Sequence, residues 1–126
     1  MQLTQDEVKT LSKLNSKFQD RCFEIAKIMK SLDYEFEYLS NWQLCDNEVC
    51  GEGDEHLGYG EYEHHYGSFS AEWLSLSDEE ITKIVNERIK IKQDKKAEEK
   101  RKEEERIKEK ELADLKRLKE KYPNEF

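Results

Sequence analysis

Apolar residues recur at helical spacing over residues 4–32. Leu11, Phe18, Ile25 and Leu32 return every seven positions, Leu14 and Ile28 add a second row, and Val8, Cys22 and Met29 widen the face. This pattern predicts an amphipathic helix with one side packed on a sheet or another helix. Thr4 and Glu7 stand at the spacing of a capping box, which sets its start. Cys22 falls on the apolar face and reads as a small core residue.

The period changes to two after residue 33. In "YEFEYL", Tyr34, Phe36 and Tyr38 alternate with Glu35 and Glu37, the signature of a half-buried strand. "YEHHYGSFS" repeats the alternation, with Tyr62, His64 and Tyr66 on one face and Glu63, His65 and Phe69 on the other. "GEG" and "GYG" read as turns. Three or four short antiparallel strands are therefore predicted within 33–74, with Trp42, Leu44, Val49, Trp73 and Leu74 completing the core. If the aromatic face of Tyr62, His64 and Tyr66 is the buried one, His65 is the more exposed histidine of the pair.

From residue 77 to 121 the pattern is helical again. Ser77 and Glu80 form a second capping box, and Ile81, Ile84, Val85, Arg88 and Ile91 give an apolar stripe with one charged interruption. "KQDKKAEEKRKEEER" then offers little to bury, although its opposite charges at three- and four-residue spacing support a solvated helix. Apolar spacing resumes at Ile107, Leu112, Leu115, Leu118 and Tyr122. Such a helix would be roughly 65–70 Å long, so its distal part is expected to project, to fold back or to find a partner, as in a homodimer through the helices. The fold class is α+β in one domain, residues 1–126: N-terminal helix, small antiparallel sheet, long charged C-terminal helix.

Composition narrows this picture. Only 35% of the chain is hydrophobic and 41% is charged, so the core is small. No apolar run is long enough for a membrane span, and "MQLTQDEVKT" lacks the features of a signal peptide, which points to the cytoplasm. Three cysteines in that compartment are expected as free thiols or metal ligands. The net charge of −8 is uneven: no Lys or Arg occurs between Lys30 and Lys83, a gap that holds 14 acids. Such a field repels nucleic acid and attracts basic surfaces, beyond keeping the chain soluble.

One segment concentrates metal ligands. "CDNEVCGEGDEHLGYGEYEHH", residues 45–65, holds two of three cysteines, all three histidines and seven acids. Cys45, Cys50 and His56, with His64 or His65, could form a closed structural Zn2+ site, because thiolate and imidazole together suit zinc. Such an ion would stabilise a domain with little to bury. The alternative is that the cysteines pack and the histidines are surface groups. No phosphate-binding glycine loop, nucleophile elbow or His-Glu-x-x-His helix occurs, so no catalytic residue is assigned and the chain reads as non-enzymatic.

The stretch "EYEHHYGSFSAEWLSLSDEEI" leading into a Lys/Glu-rich helix that ends "LKRLKEKYPNEF" resembles small accessory proteins of phages of Gram-positive bacteria. Over residues 42–126, with the Cys45, Cys50, His56 and His64/His65 cluster, the chain is similar to metal-binding anti-CRISPR proteins of the type II-A group, which inhibit Cas9. The resemblance implies an inhibitor acting in the host bacterial cytoplasm that binds Cas9 or a related nuclease, not nucleic acid or membrane. Blockage of nucleic-acid loading would run through an acidic surface of Glu35, Glu37, Asp46, Glu48, Glu52, Asp54, Glu55, Glu61 and Glu63. The competing expectation is a structural or assembly module acting through the long C-terminal helix.

Overall fold

The computed structural model describes residues 1–125. The order of elements is α1 (Gln5–Met29), a 3-10 helix (Tyr34–Tyr38), β1 (Asn41–Cys45), β2 (Glu48–Gly58), β3 (Glu61–Ser70), a second 3-10 helix (Ala71–Ser75) and α2 (Asp78–Lys121). The fold is α+β, with one three-stranded antiparallel sheet in the order β1-β2-β3.

Both capping signals position their helices. The Glu7 amide donates to Thr4 Oγ1 and the Thr4 amide to Glu7 Oε1, each at 3.1 Å. The Glu80 amide donates to Ser77 Oγ at 3.2 Å. α1 ends at Met29, whose carbonyl accepts from the Leu32 and Asp33 amides at 2.9 and 3.0 Å.

Tyr34–Tyr38 is a 3-10 helix, not the strand that its alternation predicts. Asp33 explains the difference. Its carboxylate accepts from the Glu35 amide at 3.1 Å and caps a helical turn directly after α1. Phe36 and Leu39 still reach the core, three positions apart, as the 3-10 period requires.

Contacts divide the chain into two units, Met1–Arg88 and Ile89–Phe126, with the boundary inside α2. The core belongs to the first. Cys22, Ile25, Ala26 and Met29 of α1 meet Trp42, Val49 and Phe69 of the sheet, together with Phe36, Leu39, Trp73, Ile81 and Val85. Trp42 lies at its centre, 6.2 Å from Phe23, 6.5 Å from Phe36 and 5.9 Å from Phe69 between ring centroids. Burial pushes the Cys22 thiol up to about 11, in keeping with an inert core residue. Leu44 departs from expectation: it is exposed near the β1–β2 turn although its neighbour Val49 is fully buried. Arg88, the charged interruption in the stripe, lies 4.9 Å over the Trp73 ring and covers its face.

"GEG" is not a turn. Gly51 and Gly53 lie inside β2, where the 3-10 helix and Trp42 press on the sheet. The turns are Asp46-Asn47, with Asp46 at φ 55°, and Gly58-Tyr59-Gly60, all three at positive φ. The second unit is the remainder of α2, supported by surface pairs such as Glu98–Lys102 at 3.6 Å and Arg101–Glu105 at 3.7 Å. Each contributes about 0.3–0.5 kcal/mol. Ile107, Leu112, Leu115, Leu118 and Tyr122 are exposed along it.

Candidate functional site

Strand register sorts the predicted site residues onto two faces. Trp42, Val49, Gly51, Gly53, Glu55, Glu63, His65, Gly67 and Phe69 share the face turned to the core. Gln43, Cys45, Glu48, Cys50, Glu52, Asp54, His56, Tyr62, His64 and Tyr66 share the open face. The burial of the two histidines is therefore the reverse of the aromatic-face expectation. Tyr62 and Tyr66 are exposed, His64 is exposed with them, and His65 is only 1% exposed. The core selected the side with Phe69 and three glycines, of which Gly53 and Gly67 accept the 3-10 segment closely.

His65 sits in an aromatic and acidic enclosure. Its ring stacks on Tyr38 with centroids 4.9 Å apart, and Tyr34 meets it edge-on at 5.8 Å. Nε2 is 2.9 Å from Glu55 Oε1 and 4.0 Å from Glu63 Oε2. Nδ1 is 3.7 Å from Glu35 Oε1, and among the described residues it has no hydrogen-bond partner. Glu55 and Glu63 are directly paired across β2 and β3. Two carboxylates so placed repel each other unless a cation lies near both.

Glu55, Glu63 and His65 each offer one ligand atom, all within 4.8 Å of one another, and could hold a metal ion. The donor set fits one: an imidazole nitrogen with two carboxylates offers mixed N/O ligation to a divalent ion. Glu35 lies on the Nδ1 side at 3.7 Å, an ion-pair distance too long for a hydrogen bond. His65 as a whole is nearly closed off from water.

The sequence-predicted ligands do not converge. Cys45 and Cys50 face each other diagonally across the β1–β2 hairpin, and their mutual hydrogen bond, with partial burial, raises the Cys50 thiol above its ordinary value. A raised thiol is a poorer source of thiolate. His56 lies six residues further along β2, roughly 20 Å from Cys50, and packs on Tyr62 with centroids 4.3 Å apart. His64 pairs with Asp54 through Nδ1 and lies 3.4 Å from Glu52 through Nε2. Of the nine predicted acidic contacts, Glu35, Glu55 and Glu63 gather at His65. Glu48, Glu52 and Asp54 line the open face, Asp46 and Glu61 stand at the two turns, and Glu37 is exposed on the 3-10 helix. That Glu55 and Glu63 gather at His65, where the three could hold a metal ion, escaped sequence reasoning. The available signal was Glu63-x-His65 on one strand parity, with Glu55 opposite across the "GYG" turn.

Both histidines are raised above the ordinary imidazole range. The hydrogen bond to Asp54 is the main cause at His64, with Glu52 adding to it. At His65 burial lowers the value, but Glu55, Glu63 and Glu35 together outweigh it. Stability from the two imidazolium groups is complete below about pH 6.5, the unfolded value, and is lost as pH rises through the raised values. The metal-free protein is thus expected to have a higher Tm at pH 6 than at pH 8. Thermal unfolding in chelator across that window measures it, and the slope should shrink in His64→Gln.

No protein family, curated protein or solved structure matches the chain. No helix among the described residues is long and apolar enough to cross a membrane.

Proposed function

We propose that this chain is a non-enzymatic inhibitor that binds a cationic, nucleic-acid-binding protein surface through the open face of its sheet. The target class is the RNA-guided nuclease Cas9, in agreement with the anti-CRISPR resemblance of residues 42–126. One observation carries the reading. Glu48, Glu52 and Asp54 share a solvent face with Tyr62 and Tyr66, no Lys or Arg occurs from residue 31 to 82, and His64, paired with Asp54 and Glu52, offsets only part of the charge. Channels lined with Lys and Arg for phosphates attract carboxylates equally well, and exposed tyrosines stack on guanidinium groups. Zinc is the ion assigned to Glu55, Glu63 and His65, in a structural role beneath that face.

The test is binding to purified Cas9, free and loaded with guide RNA, at two salt concentrations. Glu52→Lys with Asp54→Lys is expected to weaken binding at least tenfold, with a smaller loss of Tm because the two carboxylates also hold His64, so binding is compared at a temperature where both proteins are folded. Wild-type affinity should fall steeply with salt. Equal affinity in the double variant, or no binding at all, overturns the proposal. The competing reading, assembly through the long helix, draws on the exposed apolar residues from Ile107 to Tyr122. Loss of binding in Leu115→Glu with Leu118→Glu, but not in the acidic-face variant, would favour it.

A further inference from the structure

α1 carries one apolar face, and only its C-terminal half is covered. Cys22, Ile25 and Met29 are buried, whereas Leu11 and Leu14 on the same face are 58% and 57% exposed. Phe18, between Leu14 and Cys22, is half-buried. Leu44 of β1 is 60% exposed beside them, and Leu11, Leu14, Phe18 and Leu44 line one groove with Trp42. Large apolar groups continuous with a core face form an uncompleted packing surface rather than scattered exposure.

Charge identifies what completes it. All six Lys and Arg residues before Lys83 lie between Lys9 and Lys30, on α1 and its C-cap. Copies of this acidic chain repel one another over the sheet, and α1 is where they can approach. Residues 6–21 hold Asp6, Glu7 and Asp20 against Lys9, Lys13, Lys17 and Arg21, so the patch is close to neutral, as contact between identical surfaces requires. Eleven residues separate Asp6 from Lys17, which places them within about 20° of each other around the helix, on one flank of the stripe. An antiparallel pair of helices related by a two-fold axis between Leu11 and Leu14 sets Leu11 of one copy against Leu14 of the other. The same arrangement lays Asp6 alongside Lys17 of the second copy, twice. A parallel pair forfeits both charge contacts.

We propose that two copies of this chain associate through antiparallel α1 helices, with Leu11, Leu14, Phe18 and Leu44 at the centre. Sedimentation equilibrium of the full chain from micromolar to millimolar concentration tests it. A reversible dimer is expected, and Leu11→Glu with Leu14→Glu should raise its dissociation constant by roughly a hundredfold or more while leaving circular dichroism, and Tm at concentrations where both proteins are monomeric, unchanged. Asp6→Lys and Lys17→Asp should each weaken it about three- to tenfold, and the two together should restore it. Leu115→Glu with Leu118→Glu should have no effect. A monomer at every concentration overturns the proposal, as does a dimer indifferent to Leu11 and Leu14, one lost with Leu115 and Leu118, or failure of the charge-swapped pair to recover.

Discussion

Alanine at Gly53 is expected to destabilise the protein by about 3 kcal/mol or more. A Cβ there would lie 1.8 Å from the Tyr38 carbonyl oxygen, 2.8 Å from its carbon and 3.1 Å from Leu39 Cα. These atoms are backbone, so no rotamer change relieves the clash. The segment Tyr34–Leu39 must lift from the sheet, which unseats Phe36 and Leu39 and separates Tyr38 from His65. In a unit of this size that loss corresponds to a fall in Tm of roughly 12–24 °C. Gly58 is the control. It has φ 87°, and a Cβ there would have no neighbour within 4 Å, so alanine meets only backbone strain, about 1 kcal/mol. Thermal or urea unfolding of both variants decides the matter. Equal losses would mean that the close approach at Gly53 contributes nothing specific.

The second large effect concerns metal. Zinc at a hundredfold excess over its dissociation constant is expected to stabilise the chelated protein by about 2.7 kcal/mol, a rise in Tm of roughly 10–20 °C. Glu55→Gln with Glu63→Gln should abolish that rise and weaken zinc binding by about a hundredfold or more. The substitutions conserve shape, so the metal-free fold is retained, with a lower Tm at pH 6 because Glu55 and Glu63 also hold the His65 imidazolium; the zinc effect is therefore read as the rise within each variant. Cys45→Ser with Cys50→Ser should leave the rise intact, since neither thiol lies with His65. The reverse pattern would return the ligand role to the thiols. Zinc requires neutral imidazole, so its effect should grow between pH 6 and 8 while the metal-free protein loses stability over the same range. Calorimetry with elemental analysis of the purified protein measures both stoichiometry and affinity.

Much of the fold was legible in the amino-acid sequence because its determinants are local. The Thr4/Glu7 and Ser77/Glu80 spacings mark helix starts through contacts three residues apart. Alternation in "YEHHYGSFS" identifies a strand because a strand's side chains change face at every residue. The same alternation misled at "YEFEYL", where the local cap from Asp33 prevailed.

The sequence by itself determined two helices, an antiparallel sheet between them, a field without a positive side chain over 52 positions, and histidines crowded with acids. Tertiary structure decided which face of the sheet is buried, and with it the fate of each ligand. Period two separates the faces of a strand but does not say which meets the core. That choice follows from Phe69 and from the room that Gly51, Gly53 and Gly67 leave for Trp42, Phe36 and Leu39. Convergence of Glu35, Glu55 and Glu63 on His65 required the β2–β3 register and the seating of the 3-10 helix at once. Both are contacts between residues distant along the chain, and no local pattern encodes them.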